Sequence, residues 1–196
     1  MKPDCPVKFG TDGWRAVIGE DYTFENIRLV AQATADHFAR KHTRTTHKQM
    51  IVGYDRRFLS NEFAQVTAEV LSANGYEVLL ADRPAPTPAV SWHTAKQKAR
   101  AGIMITASHN PARFNGFKIK LHHGGPADPE TCRAIEQSLQ KRPVKQLTNT
   151  EAKRRKLLRT SNLLPKYDEK EVVSITAENL EFDTEEEKEK TKEELK

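Results

Sequence analysis

The chain has 196 residues, and its lysines and arginines outnumber its acidic residues to give a formal net charge of +5. Hydrophobic residues make up 37% of the sequence, charged residues make up 30%, and the mean hydropathy is −0.73. No stretch approaches the ~20 apolar residues of a membrane-spanning helix, and the N-terminus lacks the apolar core of a signal peptide. The two cysteines, Cys5 and Cys132, have no metal-type spacing. We therefore expect a cytoplasmic protein with reduced thiols and no membrane partner.

The charge is unevenly distributed, because glutamate dominates the chain from Asp168 onward. The preceding body is therefore more basic than the total suggests, which suits nucleic acid, a membrane surface or a phosphorylated metabolite. Residues 153–156 are all basic, but no aromatic residue is interleaved with them. Such a run is more typical of an exposed helix face than of a nucleic-acid site. We therefore do not expect a nucleic-acid partner, and nucleic-acid binding ranks below the two other candidate functions given below.

Hydrophobic periodicity predicts an alternation of helices and strands. Apolar residues recur at helical spacing after Thr23, which is a suitable N-cap residue. The next patterns predict a strand over 50–54, a helix capped by Ser60 and ended by Asn74-Gly75, and a strand over 76–81. They are followed by a helix from Thr87-Pro88, strands over 102–106 and 117–121, and a helix capped by Asp128. This alternation predicts a three-layer α/β/α domain with a mixed, mostly parallel sheet, followed by a charged C-terminal tail.

One connection breaks the parallel pattern. The interval between Thr106 and Phe117 is too short for a helical crossover, which needs about a dozen residues or more. The strand over 117–121 should therefore return antiparallel beside the strand over 102–106. This return would bring Lys118, expected to be exposed at the strand end, toward the loop that carries Ser108.

We divide the chain into three parts. Residues 1–142 form the α/β domain, residues 143–167 a basic linker or helix, and residues 168–196 an acidic tail. Within the linker, residues 151–158 have the pattern of a short basic helix. The tail is rich in charge and poor in aromatics, as is typical of partial disorder, although residues 172–175 have the pattern of a strand.

A serine-containing loop carries the clearest chemical signal. Residues 106–111, Thr-Ala-Ser-His-Asn-Pro, follow a buried strand, and open α/β sheets bind ligands at the carboxyl ends of their strands. A serine hydroxyl on a rigid turn can carry a phosphoryl group when donors and a proton-exchanging group lie near it. His109 and Asn110 would donate hydrogen bonds to it. Lys118, ten residues after Ser108, is a candidate general acid/base.

An arginine near the N-terminus could complete this site. Arg15 follows the turn over Gly10–Gly13, and its guanidinium could hold phosphate oxygens in a bidentate fork. Each motif also has a plain structural interpretation. Ser-His-Asn-Pro is typical of an ordinary turn, and Asp55 with Arg57 could be a loop ion pair or a support for a site. The His122-His123 pair has no third ligand nearby, and we expect it to face solvent.

Three segments together indicate a family. Phe9–Arg15, Thr106–Pro111 and Asn115–Lys120, in this order and at these distances, resemble the α-D-phosphohexomutase family (phosphoglucomutases and phosphomannomutases) over residues 6–140. The resemblance implies that Ser108 is phosphorylated and relays the phosphoryl group, and that Lys118 does acid/base work. It places His109 and Arg15 in the catalytic centre. The remaining positions implied are Asn110, Thr11 and Arg57 for substrate or phosphate binding, and Ser108, through its phosphate, as a ligand of Mg²⁺.

The chain also departs from this family. Family enzymes are more than twice as long and have four domains, and the acidic Mg²⁺ loop, the sugar-specificity loop and a second phosphate-binding loop have no counterpart here. We therefore predict an incomplete phosphosugar mutase domain, inactive alone, that acts on hexose phosphates and hexose bisphosphates. The missing mutase domains would be its partners in trans. The alternative is a non-catalytic phosphosugar-binding or interaction module.

Overall fold

Strands and helices alternate along residues 6–10, 13–40 and 47–164, which the computed structural model describes. The strands in this part of the chain are β1 (Trp14–Val17), β2 (Gln49–Tyr54), β3 (Glu77–Ala81), β4 (Ala101–Ile105), β5 (Phe114–Leu121) and β6 (Leu158–Ser161). The helices are α1 (Phe24–Arg40), α2 (Ser60–Ala73), α3 (Thr87–Lys96), α4 (Pro129–Glu136) and α5 (Asn149–Arg154). None of the helices in these ranges is long and apolar enough to cross a lipid bilayer.

The strands form one six-stranded sheet in the order β1-β5-β4-β2-β3-β6. Parallel pairing joins β4 to β2, β2 to β3 and β3 to β6. Strand β5 is antiparallel to both β4 and β1. The structure therefore confirms the mixed, mostly parallel sheet and the antiparallel return after the serine loop.

Helices cover both faces of the sheet, which confirms the three-layer arrangement. Helix α3 packs on β2, β4 and β5, whereas α2 packs on β2 and β3 and also contacts α1 and α5. The chain moves in opposite directions across the sheet after β2 and after β3. Right-handed crossovers therefore place α2 and α3 on opposite faces.

Two edge strands were missed by the sequence patterns. Strand β1 has only four residues and directly follows the turn predicted over Gly10–Gly13. In the predicted linker, the helix covers 149–154, and β6 then pairs with β3. Three of the four β6 residues are exposed, so this strand has almost no apolar signal. The sheet thus continues beyond residue 142, although the division into domains stays a prediction.

The helix caps agree with the sequence at two of three positions. The hydroxyl of Thr23 accepts from the amide of Asn26 at 3.2 Å, and Asp128 Oδ1 accepts from the amide of Thr131. Ser60 was wrongly predicted to be a cap, since it is the first helical residue and its hydroxyl donates to Asp55 instead.

Three sequence predictions lie outside the described residues. They are the acidic tail, the strand pattern over 172–175 and the role of Thr11.

Helix α3 lies unusually close to the sheet at two glycines. A Cβ atom on Gly102 would lie 2.2 Å from Thr94 Oγ1, and one on Gly53 would lie 2.4 Å from Val90 Cγ2. Both contacts are too short for real atoms, so the helix can approach only because these positions lack side chains. This approach packs α3 directly against the strand that ends at the serine loop.

We expect Gly102→Ala to destabilise the fold by about 1–3 kcal/mol, because the added methyl group overpacks the interface between α3 and β4. Chemical denaturation of the full chain measures this effect. Thr94→Ala removes the hydroxyl that the new Cβ would meet. The double variant should therefore lose less stability than the sum of the two single variants, and strict additivity would contradict the close approach.

Candidate functional site

The site is built on the Ser108 loop, residues 106–113, which follows β4 at the carboxyl edge of the sheet. Ser108 is exposed and has a φ of +57°. This left-handed conformation is unfavourable for a residue with a Cβ and persists only where the surroundings hold it. The loop therefore holds Ser108 in a strained backbone conformation and exposes it to solvent.

Arg57 holds the loop from below through its guanidinium group. Nη1 donates to the carbonyl oxygens of Pro111 and Phe114 at 2.9 and 3.0 Å. Nη2 donates to those of Ser108 and Asn110 at 2.8 and 2.6 Å. The remaining nitrogen, Nε, lies 3.5 Å from Asp55 Oδ2. Since a guanidinium has five N–H donors, these contacts engage the whole group.

This placement does not support the predicted contact between Arg57 and a substrate phosphate. A phosphate oxygen would have to displace one of the four carbonyl oxygens that this guanidinium already holds. The proximity to Asp55 shows that the two sequence alternatives, an ion pair and a support for the site, coexist. We therefore treat Arg57 as a positioning residue of the Ser108 loop.

Strands β1 and β5 bring Arg15 to the same end of the sheet. Arg15 pairs with Gly116, and a Cβ on Gly116 would lie 2.5 Å from the carbonyl oxygen of Thr106 and 3.0 Å from Arg15 Cγ. The side chain of Arg15 thus passes over a glycine gap beside the first residue of the Ser108 loop. Glycine at this position is what lets the three segments approach.

Lys118 lies two residues further along β5 and therefore on the same face of the sheet as Gly116. It pairs with Met104, and its Cγ lies 3.1 Å from the position of a Cβ on Gly13, whose φ is +92°. Lys118 is only 6% exposed, so the expectation of an exposed lysine was wrong. The reason is tertiary, because the turn before β1 covers a position that lies within the sheet.

The other predicted site residues lie in the loop itself. His109 is exposed, and Asn110 is half-buried, with its amide donating to the carbonyl of Ala107 at 3.1 Å. The structure thus brings Ser108, His109 and Asn110 together on one loop, with Arg15 and Lys118 on the adjoining strands.

Sequence reasoning missed a polar cluster beneath the loop. Its members are Asp55, Ser60, Thr106 and Asn115, and they are joined by hydrogen bonds. The available signal was an aspartate placed directly after a buried strand, at the edge where the serine loop also lies. Ser60 was assigned a capping role, and Asn115 lies before the strand that was predicted over 117–121 but begins at Phe114.

The described residues do not form a Mg²⁺ site of their own. No group of three or more histidine, cysteine, aspartate or glutamate residues in this part of the chain could hold a metal ion. The carboxylate nearest the loop, Asp55, already accepts hydrogen bonds on both oxygens. His122 is exposed as expected, whereas His123 is half-buried, and burial followed by the charge of His122 lowers its pKa.

We predict that Ser108→Gly will be more stable than Ser108→Ala by up to about 1 kcal/mol. Glycine relieves the left-handed strain that alanine keeps, and its larger unfolded-state entropy offsets only part of this gain. Thermal or chemical unfolding of both variants tests the difference. Ala112→Gly is the matched control, because Ala112 lies in the same loop without a positive φ. Glycine should lower the stability there, and a similar gain at both positions would refute the strain.

Comparison with known proteins agrees with this architecture. Residues 6–145 match the family model of phosphoglucomutase/phosphomannomutase, alpha/beta/alpha domain I. The chain is 35% identical over 149 residues to glucose 1,6-bisphosphate synthase from Homo sapiens, covering 69% of this chain and 24% of that protein. It is 34% identical over 134 residues to phosphoglucomutase from Staphylococcus saprophyticus, covering 67% of this chain and 24% of that protein.

A solved structure extends the comparison to three dimensions. A Thermus thermophilus protein assigned as a phosphomannomutase superimposes with a TM-score of 0.69 at 33% identity, covering 81% of this chain and 33% of that chain. The chain thus spans about a quarter of the length of the curated relatives it matches. The exposed serine at the edge of a mixed sheet and the match over 6–145 lead to one assignment. The chain belongs to the phosphoglucomutase/phosphomannomutase family, of which it contains the α/β/α domain I.

Proposed function

We propose that this domain carries the phosphoryl-relay serine of a phosphohexomutase. Ser108 takes a phosphoryl group from a hexose bisphosphate and passes it to a hexose monophosphate. The observation that carries the proposal is the presentation of Ser108, an exposed residue on a strained backbone that Arg57 holds through three loop carbonyls and that of Phe114. A serine in an ordinary surface turn has no need of such support.

The transfer step exchanges one oxygen–phosphorus bond for another. The Oγ of Ser108 attacks the phosphorus of the bisphosphate and gives up its proton, and the bond between phosphorus and the sugar oxygen breaks. The sugar oxygen leaves and takes up a proton, so that the charges balance. Lys118, on the strand beside the loop, is the residue that we assign to proton exchange. In the second half of the reaction, the same events run in reverse on another hydroxyl of the sugar.

Positive charge near the serine supports binding of the phosphate. The side chain of Arg15 crosses Gly116 beside the Thr106 carbonyl, and His109 is exposed beside Ser108. With Arg57 engaged below the loop, Arg15 is the arginine that we assign to the phosphate oxygens. His109 and Asn110 then supply the shorter-range hydrogen bonds. Binding of substrate or phosphate by Thr11 stays a prediction.

The substrate class follows from the family and its named members. Relatives include a phosphoglucomutase and a glucose 1,6-bisphosphate synthase, which makes glucose 1,6-bisphosphate a suitable phosphoryl donor to test. Hexose phosphates are metabolites of the cytoplasm, and we place the protein there.

We infer that full turnover needs more than the described residues. They lack a metal-binding cluster, whereas a Ser108 phosphate could give Mg²⁺ one oxygen ligand. The other ligands and the sugar-reading surfaces would come from further mutase domains, acting in trans or in the same polypeptide. The second candidate function, a non-catalytic phosphosugar-binding module, shares the loop but predicts no phosphorylated serine.

Incubation with glucose 1,6-bisphosphate should phosphorylate the full chain at Ser108. Intact-mass measurement gives the rate, and peptide mapping gives the position. Ser108→Ala should abolish the modification, and Ser91→Ala, outside the site, should leave it intact. Phosphate on another residue, or none on the wild-type chain while the sugar still binds, would favour the binding module.

Lys118→Met should slow this phosphorylation on the order of 10²–10⁴-fold, because a positioned acid/base group contributes about that much. Methionine keeps most of the side-chain volume, which matters for a residue that is 6% exposed. Lys120→Met is the matched control, since Lys120 is equally buried at 8% and lies two residues along the same strand. Equal rates in the two variants would remove Lys118 from the mechanism.

A further inference from the structure

Three members of the polar cluster beneath the Ser108 loop are buried, the fourth, Asp55, is half-buried, and all four are hydrogen-bonded. Thr106 is 4% exposed, Ser60 is 1% exposed and Asn115 is fully buried. Burial of so many polar groups at one sheet edge is costly unless each has a partner. The hydroxyls of Thr106 and Ser60 both donate to the carboxylate of Asp55, and the Asn115 amide donates to Ser60 and to the carbonyl of Phe58.

The direction of each bond near Ser108 follows from the donors available. Thr106 Oγ1 lies 2.6 Å from Asp55 Oδ2, and an ionised carboxylate only accepts, so the single hydroxyl proton of Thr106 points to Asp55. The lone pairs of Thr106 are then left for the amide N–H of Ser108, which donates to Oγ1 at 3.0 Å. Thr106 thus accepts from the Ser108 amide, which can only donate, and Asp55 takes the one hydroxyl proton of Thr106.

On the side of the cluster away from Thr106, a chain of hydrogen bonds also leads to Asp55. Gly116 N–H donates to Asn115 Oδ1 at 2.8 Å, which fixes the orientation of the Asn115 amide. Asn115 Nδ2 then donates to Ser60 Oγ at 2.9 Å, and Ser60 donates to Asp55 Oδ1 at 2.8 Å. Asp55 is therefore anchored to β5 and to the first turn of α2.

The two backbone groups of Ser108 are both held through this carboxylate. Its amide is bonded to Thr106, and its carbonyl accepts from Arg57 at 2.8 Å. Thr106 and Arg57 in turn both contact Asp55 Oδ2, at 2.6 and 3.5 Å. Fixing a residue by its N–H and its C=O restrains φ and ψ together, while its side chain stays free.

We propose that Thr106, oriented by Asp55, is a positioning residue for phosphoryl transfer at Ser108. It holds the serine backbone in the left-handed conformation that aims Oγ at the donor phosphorus. The role of Thr106 in transfer rests on the proposed function, whereas its hydrogen bond with the Ser108 amide does not. Since a displacement of about 1 Å at the reacting atoms can cost on the order of 10² in rate, loss of this hold slows transfer without weakening donor binding.

The test compares Thr106→Val with Thr106→Ser in the full chain. Valine keeps the branched shape without the hydroxyl, and serine keeps the hydroxyl. With glucose 1,6-bisphosphate as donor, Thr106→Val should lower the saturating rate of Ser108 phosphorylation about ten- to hundredfold, with little change in the half-saturating concentration. Thr106→Ser should stay within about threefold of wild type.

Amide hydrogen exchange supplies a second readout that needs no substrate. The Ser108 amide should be protected in the wild type and in Thr106→Ser, and unprotected in Thr106→Val and in Asp55→Asn. If Thr106→Val does not fold, Asp55→Asn still tests whether the Ser108 amide is held in this way. Thr67→Val is the matched control, because Thr67 is fully buried and its hydroxyl bonds only to its own helix, at the carbonyl of Phe63. It should change stability but neither readout.

The outcomes separate the two claims. A wild-type rate in Thr106→Val, or a Ser108 amide that stays protected in that variant, would overturn the positioning role. Failure of wild-type Ser108 to accept phosphate would refute the proposed function and, with it, the transfer role. Amide exchange would then still decide whether Thr106 holds the loop.

Discussion

A single carboxylate, that of Asp55, organises the carboxyl edge of this sheet. It accepts from the hydroxyls of Thr106 and Ser60 and lies beside the guanidinium of Arg57. Because buried polar groups need partners, the position of each neighbour depends on that of the others. Ser108 can keep a strained φ of +57° only because its amide and carbonyl are bonded to members of this group. The exposed Ser108 thus depends on a half-buried carboxylate.

The antiparallel return of β5 is the second constraint on the site. A short connection after β4 leaves no room for a helix, so β5 comes back beside β4 and inserts between it and β1. The glycine at position 116 then allows Arg15 to lie next to Thr106. The same strand carries Lys118 into the sheet, where the turn at Gly13 covers it. The candidate site residues Ser108, Arg15 and Lys118 are therefore brought to adjoining segments by strand pairing rather than by one long loop.

The division of labour within the domain is consistent with its family. The loop supplies a hydroxyl group and hydrogen-bond donors, while Arg57 and Asp55 are occupied in holding it. No cluster of metal-binding side chains completes the site within the residues that the structure describes. The role that we propose for such a domain is to hold and present a phosphoryl group, with the sugar bound by surfaces outside it. This is the physical basis for proposing that further domains complete the enzyme.

Much of the fold and the outline of the site followed from sequence, because the signals were local. Apolar periodicity located the buried strands and the long helices, the short connection determined the direction of β5, and the serine motif marked the loop. Strand β6 was missed because an edge strand buries only Leu158. The burial of Lys118 and the engagement of Arg57 were missed because both depend on partners that lie far away in the chain. Sequence by itself determined the buried strands and long helices and the sheet edge at which the serine motif lies. Only the tertiary structure decided which of the candidate site residues are exposed and which hold the loop, since hydrogen-bond donors are allocated by three-dimensional proximity and not by spacing along the chain.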